Sequence, residues 1–438
     1  MKFTKTRPVS PDRTAATARL MVVILCLGQM LNYFDRSVVG LAATDIMRDL
    51  ALTTADYGLL SGAFFGLYGL SGVVVGLTLS HRVRPRVLLT VMIAVWTITQ
   101  FPIAIAPSLM MLMICRALLG AAESPSISTS VAAAHEWFPA DRRSIPTAFI
   151  MIGPLLGSIV APPILTTVMG AYGWKAGFVT CGLFSGLMLA TLLAFGRDGP
   201  GMAIATPASP RSDHPRTVNR LWSAPAIIAV TAAGFSTYWV MSFAVAWLFP
   251  MLELGLGYDR VTASWLGSGV YILGAVLLLA ASALSQALLK RGLNFRRAVV
   301  WPMLTCLVIG ISAFLAAVAA PTNSMRFCLL AIAIAAGQPV TSAVPIIISA
   351  IAPLELRNRM LVVLLSLTSM AGMASPYLTG LLIDRQGFAG FVPAILLCAA
   401  VLLCGMLITL AFLHPDAAIK RIASRSRIVE TEPRQALT

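Results

Sequence analysis

Twelve stretches of this chain are apolar over about 20 residues or more, and that pattern leaves few folds open. They fall at about 20–44, 57–79, 86–106, 108–134, 145–169, 176–195, 224–249, 261–286, 298–320, 325–350, 359–382 and 391–413, numbered here as spans 1 to 12. A helix of ~20 apolar residues is what crosses a bilayer. Composition agrees: the chain is 58% hydrophobic and 11% charged, against about 25% charged in ordinary soluble domains. Gly and Pro are scattered through the runs, which membrane helices tolerate. The expected fold is an all-α polytopic membrane protein with twelve transmembrane helices.

A formal net charge of +15 could point to nucleic acid, so the placement of the charges decides. Of 32 Lys and Arg, 25 fall in segments on the side of both termini and five on the other side, namely Arg48, Lys175, Arg260, Arg326 and Arg385. That asymmetry is the positive-inside rule, and it predicts both termini in the cytoplasm and a multi-pass protein of the inner (plasma) membrane. The basic balance is topology, so no nucleic-acid partner is expected. The first apolar run is too long for a signal segment and carries Asp35 and Arg36, so it reads as a retained span. All seven cysteines sit within spans as small apolar residues, which predicts no disulfide and no Cys/His metal site. The four histidines map to cytoplasmic loops or ends, which leaves no buried histidine relay. There is no P-loop and no Ser/His/Asp set, so neither ATP drive, nor a cofactor, nor an enzyme is expected.

The longest hydrophilic interruption, 196–222, is rich in Pro, Ser and Arg and reads as a cytoplasmic linker. It separates a 1–19 tail and a 20–195 six-helix bundle from a 223–413 six-helix bundle and a 414–438 tail. The basic C-tail (Lys420, Arg421, Arg425, Arg427) reads as a lipid-facing anchor. The halves echo each other. The loop Ser80–Arg86 after span 2 matches Ser285, Gln286 and Lys290–Gly292 after span 8, and Phe138–Arg143 after span 4 matches Ala352–Arg357 after span 10. The offsets are about 205 and 214 residues. Two pseudo-symmetric halves around a midplane site are a plan shared by many secondary transporters. Spacings such as Gly66-x-x-Gly69 and Gly153-x-x-x-Gly157 read as close helix packing.

Only Asp35, Arg36, Arg116 and Glu123 lie deep inside spans; the other 45 of 49 charged residues do not. A charge in hydrocarbon costs at least ~2.5–3.5 kcal/mol, so it persists where it is paired, hydrated or useful. Two carboxylates and two arginines in one half imply a proton-coupled site for an anion. Glu123, near the middle of span 4, is the candidate for a carboxyl switched between a desolvated and an arginine-paired condition. Arg116 lies two turns earlier on nearly the same face, so a static Arg116–Glu123 brace is the rival reading. Asp35 could meet Arg116 across the helix pair, again as a proton site or a structural pair. Arg36 points about 100° away from Asp35 and suits a substrate carboxylate, which a guanidinium matches bidentately, or else neutralises Asp35. Asn32, Tyr33 and Tyr68 add hydrogen-bonding groups near that level. The second half offers Tyr238, Trp239, Gln338, Thr341, Ser342, Ser366 and Ser369. Each of these alone is more simply helix–helix glue; together they suit a substrate's hydroxyl or carbonyl groups.

At this point the chain resembles the major facilitator superfamily, and more narrowly its anion:cation symporter family. The likeness rests on LNYFDRSVV (31–39), AFFGLYGL (63–70), RALLGAAESP (116–125), EWFPADRRS (136–144), YGWKAGF (172–178), AWLFPMLE (246–253) and LSQALLKRGLNFRRA (284–298). The resemblance implies proton coupling at Glu123, with Asp35 as a second proton site, and ligand-facing Tyr33 and Tyr68. It also implies a cytoplasmic gate at Gly76, Arg82, Arg86, Arg142 and Arg143. Two departures stand out: Ser80 and Gln286 replace the acids that usually help hold that gate, and span 11 lacks an asparagine often found there. The expected activity is import of a small organic anion, such as a sugar acid, by proton symport with alternating access in a monomer. An exporter driven by proton antiport is one rival, and a non-transporting solute sensor is another.

Overall fold

The computed structural model describes residues 11–79, 82–105, 107–200, 224–353 and 356–416. Residues 1–10, Ser80 and His81, most of the expected linker and the basic C-tail lie outside the described residues. Among the described residues there is no strand, and twelve helices are long and apolar enough to cross a membrane. They are Ala15–Leu41, Thr54–Leu79, Pro85–Ile105, Leu109–His135, Ser144–Tyr172, Trp174–Phe195, Pro225–Gly255, Arg260–Lys290, Arg296–Ala319, Asn323–Ile351, Arg359–Gln386 and Phe391–Phe412, hereafter spans 1 to 12. Lipid offers no partner to a bare N–H or C=O, so each apolar run closes its own hydrogen bonds as a helix. Spans 1–6 pack into one bundle and spans 7–12 into the other. Large side chains such as Val91, Ile98, Leu187 and Leu279 are exposed on the outside of the bundles, as suits contact with acyl chains.

Twelve crossings return the chain to the face on which it began, called here the terminal face; the opposite is the far face. Helix starts on the far face show the kinship of the halves. Span 2 begins in a capping box of Thr53 and Asp56, and its counterpart span 8 is capped by Asp259. Span 4 is capped by Ser108 and its counterpart span 10 by Thr322. These side chains hold N–H groups that a helix start leaves unpaired. Several helices run past the apolar stretch read from sequence. Span 7 continues through Met251–Gly255 to bring Glu253 to Arg260, and span 11 reaches Asp384, which accepts from Thr54 of span 2.

Spans 4 and 10 are each broken at mid-membrane. Helix Leu109–Glu123 stops before Pro125 and restarts as Ser126–His135; helix Asn323–Ala335 stops before Pro339 and restarts as Gln338–Ile351. The two prolines stand at the same offset of 214 seen in the loops. Pro125 has no N–H to give the Ala121 carbonyl. Ser71 of span 2 supplies the missing donor, its hydroxyl 2.6 Å from that oxygen. Glu123 therefore stands at the end of a half-helix.

Glycines let backbones touch where larger residues would not. A Cβ on Gly120 would lie 1.9 Å from the Phe64 carbonyl oxygen, and one on Gly157 2.2 Å from that of Met30. Between the halves, span 2 lies along span 11, with Gly58 against Pro376 and Gly62 against Met373. The far face adds polar ties. Arg260 reaches Asp45, in the short helix Ala43–Asp49 that follows span 1, at 2.7 Å and Glu253 at 3.7 Å, and Thr44 donates to Glu253. Tyr57 gives its hydroxyl to the carbonyls of Val39 and Ala246, one in each half. Among the described residues, the ion pair joining the halves lies on this face.

Candidate functional site

Where span 4 breaks, Glu123 turns toward span 1 and meets Arg36. Nε of Arg36 donates to Oε2 of Glu123 at 2.8 Å, and both side chains are withdrawn from solvent (4% and 0% exposed). A second guanidinium nitrogen donates to the Tyr68 hydroxyl at 3.3 Å. Aromatic rings enclose the cation: its central carbon is 4.5 Å from the Tyr33 centroid, 5.1 Å from Tyr68 and 5.2 Å from Phe64. Such faces stabilise a cation removed from water. Tyr238 joins from the second half, edge-on to Phe65 at 5.8 Å and beside Tyr68. Oε1 of Glu123 has no partner.

The pairings differ from those expected from spacing. Arg116 does not bind Glu123, although the two share a helix face. Its guanidinium carbon lies 4.8 Å from the Phe64 ring centroid and the group donates to the main-chain carbonyl of Asp35 at 3.3 Å, not to the carboxylate. Asp35, adjacent to Arg36 but turned away from it, points toward span 6, where Ser185 donates at 3.4 Å and Cys181 lies near. Its Oδ1 is unpartnered. Arg36 is therefore not free to await a ligand; an internal carboxylate already holds it. Phe64, whose ring lies within 5.2 Å of both guanidiniums, was not singled out from the sequence, where it is one more aromatic in an apolar run. The amides of Asn32 and Gln29 face span 4, with Asn32 3.5 Å from Ser126 and Gln29 2.9 Å from Ser130. Gln29 also went unnoticed, although its three-residue spacing from Asn32 sets both on one helix face.

The second-half candidates divide. Tyr238 is at the site. Ser366 and Ser369 instead lie in the seam with span 2, against Gly69 and Gly72, and each bonds within its own half-helix or packs there. Gln338 packs on Gly274 of span 8, Thr341 and Ser342 donate to carbonyls of their own helix, and Trp239 leaves its Nε1 unpartnered. At the 214 offset, the counterparts of Glu123 and Arg116 are Gly337 and Leu330, so the charge is confined to the first half.

On the terminal face, Gly76 fits against Val362 of span 11. Arg82 is exposed in a turn, Arg86 is half-buried at the start of span 3, and Arg142 lies 3.8 Å from neighbouring Asp141. Arg143 closes the turn after span 4 by donating to the carbonyls of Phe138 and His135. The ion pair nearby is Arg84 with Asp198 at 3.1 Å, beyond the residues expected to form the gate. Glu136 accepts from the Gly199 N–H, and burial raises its carboxyl above the ordinary range. On the far face the Trp174 indole N–H holds the Asp49 carboxyl below that range.

Two six-helix bundles around a buried, aromatic-lined ion pair define a membrane transporter and not an enzyme. The chain belongs to the Major Facilitator Superfamily, whose family model matches residues 25–337. It is 26% identical over 416 residues to a hexuronate transporter of Bacillus subtilis, covering 90% of this chain and 94% of that one. It is 24% identical over 421 residues to a D-galactonate transporter of Escherichia coli, covering 91% and 96%. In fold it is similar to a bacterial homologue of the human lysosomal transporter Spinster, solved inward-facing and occupied. The TM-score is 0.72 at 21% identity, over 95% of this chain and 98% of that one.

Proposed function

We propose that this protein imports a small organic anion of the sugar-acid class by proton symport, from an inner membrane with both termini in the cytoplasm. The observation that carries the reading is the Arg36–Glu123 pair beneath Tyr33, Tyr68 and Tyr238. A substrate carboxylate and Glu123 are drawn to the same buried guanidinium charge, so they compete for it. When Glu123 takes a proton it releases Arg36, whose fork then receives the anion's carboxylate while the tyrosine hydroxyls reach its oxygens. When Glu123 loses the proton it recaptures Arg36 and the anion is expelled. A buried charge stripped of its partner costs about 3–5 kcal/mol, so states carrying the proton alone or the anion alone are rare. That is coupling. Asp35, in its own pocket with Ser185, is a second proton carrier. The names of the relatives, hexuronate and D-galactonate transporters, support the substrate class.

The test is uptake of radiolabelled hexuronates, hexonates and small aromatic or sulfonated acids into proteoliposomes under an inward proton gradient. Wild type is expected to accumulate one class of acid. Glu123→Gln, which fills the same space and cannot carry the charge, is expected to lose accumulation while retaining anion exchange. Absence of accumulation for every acid, or a Glu123→Gln protein that accumulates like wild type, overturns the proposal.

A further inference from the structure

Between Glu123 and the terminal face, spans 1 and 4 carry a file of polar side chains through an otherwise apolar interior. Asn32 and Ser126 are 3.5 Å apart, the Ser126 hydroxyl is 3.5 Å from the Gln29 side-chain oxygen, and the Gln29 amide donates to Ser130 at 2.9 Å. None of the four is more than 1% exposed. The file descends about one helical turn toward the terminal face on each helix, from Asn32 to Gln29 on span 1 and from Ser126 to Ser130 on span 4. The file ends at a void of ≈ 10 Å³, lined by Gln29, Ser130 and Trp96 among apolar neighbours. That is room for about one water. Three atoms along the way have no partner: Oε1 of Glu123, Oδ1 of Asn32 and Nε1 of Trp96. Orphaned polar atoms in a membrane interior are costly, so a site that keeps several has a use for them.

The second half shows what the packing alone requires. At the 214 offset the counterparts of Ser126 and Ser130 on span 10 are Val340 and Val344, both buried and apolar. The fold closes these positions without polar groups; the half that contains Glu123 has them. We propose that the Asn32–Ser126–Gln29–Ser130 file, with water in its void, is the path by which the coupling proton leaves Glu123 toward the cytoplasm. In this step the Glu123 Oε1–H bond breaks, the Ser126 hydroxyl takes that proton as it gives up its own along the file toward water in the void beside Ser130, and the carboxylate left behind rejoins Arg36. Serine hydroxyls accept and donate in turn, while the Asn32 and Gln29 amides orient those hydroxyls. The inference rests on the symport reading above and specifies where its proton goes.

The test uses full-length protein in liposomes with a trapped pH dye, reading gradient-driven accumulation of a sugar acid, lumenal acidification and counterflow at equal pH. Gln29→Leu is expected to cut both accumulation and acidification at least tenfold while counterflow stays within twofold of wild type. Ser130→Ala, a smaller change, carries the same expectation should Gln29→Leu fail to reach the membrane. If counterflow and thermal stability fall together with accumulation, the file is structural glue and the path is refuted. Both variants coupling protons like wild type refutes the path alone. A wild type that moves the acid without protons overturns the symport reading as well.

Discussion

At the scale of single residues, the centre of the molecule is one guanidinium with two hydrogen-bonding partners on different helices. Nε of Arg36 serves Glu123 of span 4 while a terminal nitrogen serves Tyr68 of span 2. A lysine cannot hold both directions at once, because its ammonium is a point donor on a flexible stem. Arg36→Lys is expected to weaken anion binding by about tenfold or more, in line with the ~1.5–3 kcal/mol of a hydrogen bond to a charged group. Equilibrium binding of the transported acid to purified protein checks this. The adjacency of Asp35 and Arg36 already implied that they serve different surroundings, and they do: one faces Ser185 and the other Tyr68. Which acid would meet which arginine was not legible. Arg36 and Glu123 stand 87 residues apart, and their meeting depends on how span 1 is rotated against span 4. Spacing along one helix favoured Arg116 for Glu123, but the break before Pro125 and the ring of Phe64 reassign both partners.

At the scale of elements, the site depends on how closely spans 2 and 4 approach. Gly120 admits the Phe64 backbone, and Phe64 in turn supports Arg36 and Arg116. Gly120→Ala forces those helices apart, at a cost of about 1–3 kcal/mol typical of overpacking. The expected result is a lower melting temperature in detergent together with loss of transport, whereas Gly170→Ala, where the new methyl meets nothing within 4 Å, leaves both near wild type. Element existence was readable throughout, since length and hydropathy suffice to mark a spanning helix. Element ends were less so. Span 7 and span 11 outrun their apolar stretches because Glu253 and Asp384 find partners across the far face.

At the scale of the whole molecule, the halves are joined most firmly on the far face. Arg260 bridges Asp45 and Glu253, Tyr57 ties Val39 to Ala246, and Gly58 and Gly62 press span 2 onto span 11. Alternating access requires these contacts to part. Removing Arg260 destabilises the joined state relative to an open one; a partly buried pair of this kind is worth about 1 kcal/mol, or about fivefold in population. Arg260→Ala is therefore expected to raise, by about that factor, the rate at which a membrane-impermeant thiol reagent reaches an Ala43→Cys probe from the far side. Ala43 is fully buried in the joined form. An unchanged rate would remove Arg260 from the gate.

The sequence by itself determined the solvent, the number of crossings and the four charged residues that matter, because lipid punishes an unpaired peptide group or charge wherever it falls. It also carried the twofold kinship, visible in matching loops and in Pro125 and Pro339. Only the tertiary structure decided that Arg36 belongs to Glu123, that Ser366 and Ser369 pack in a seam, and that Gln29, Ser126 and Ser130 form one file. Those facts depend on the mutual rotation and approach of helices distant in the chain, set by glycine contacts and a proline break, and no local pattern of residues encodes that rotation.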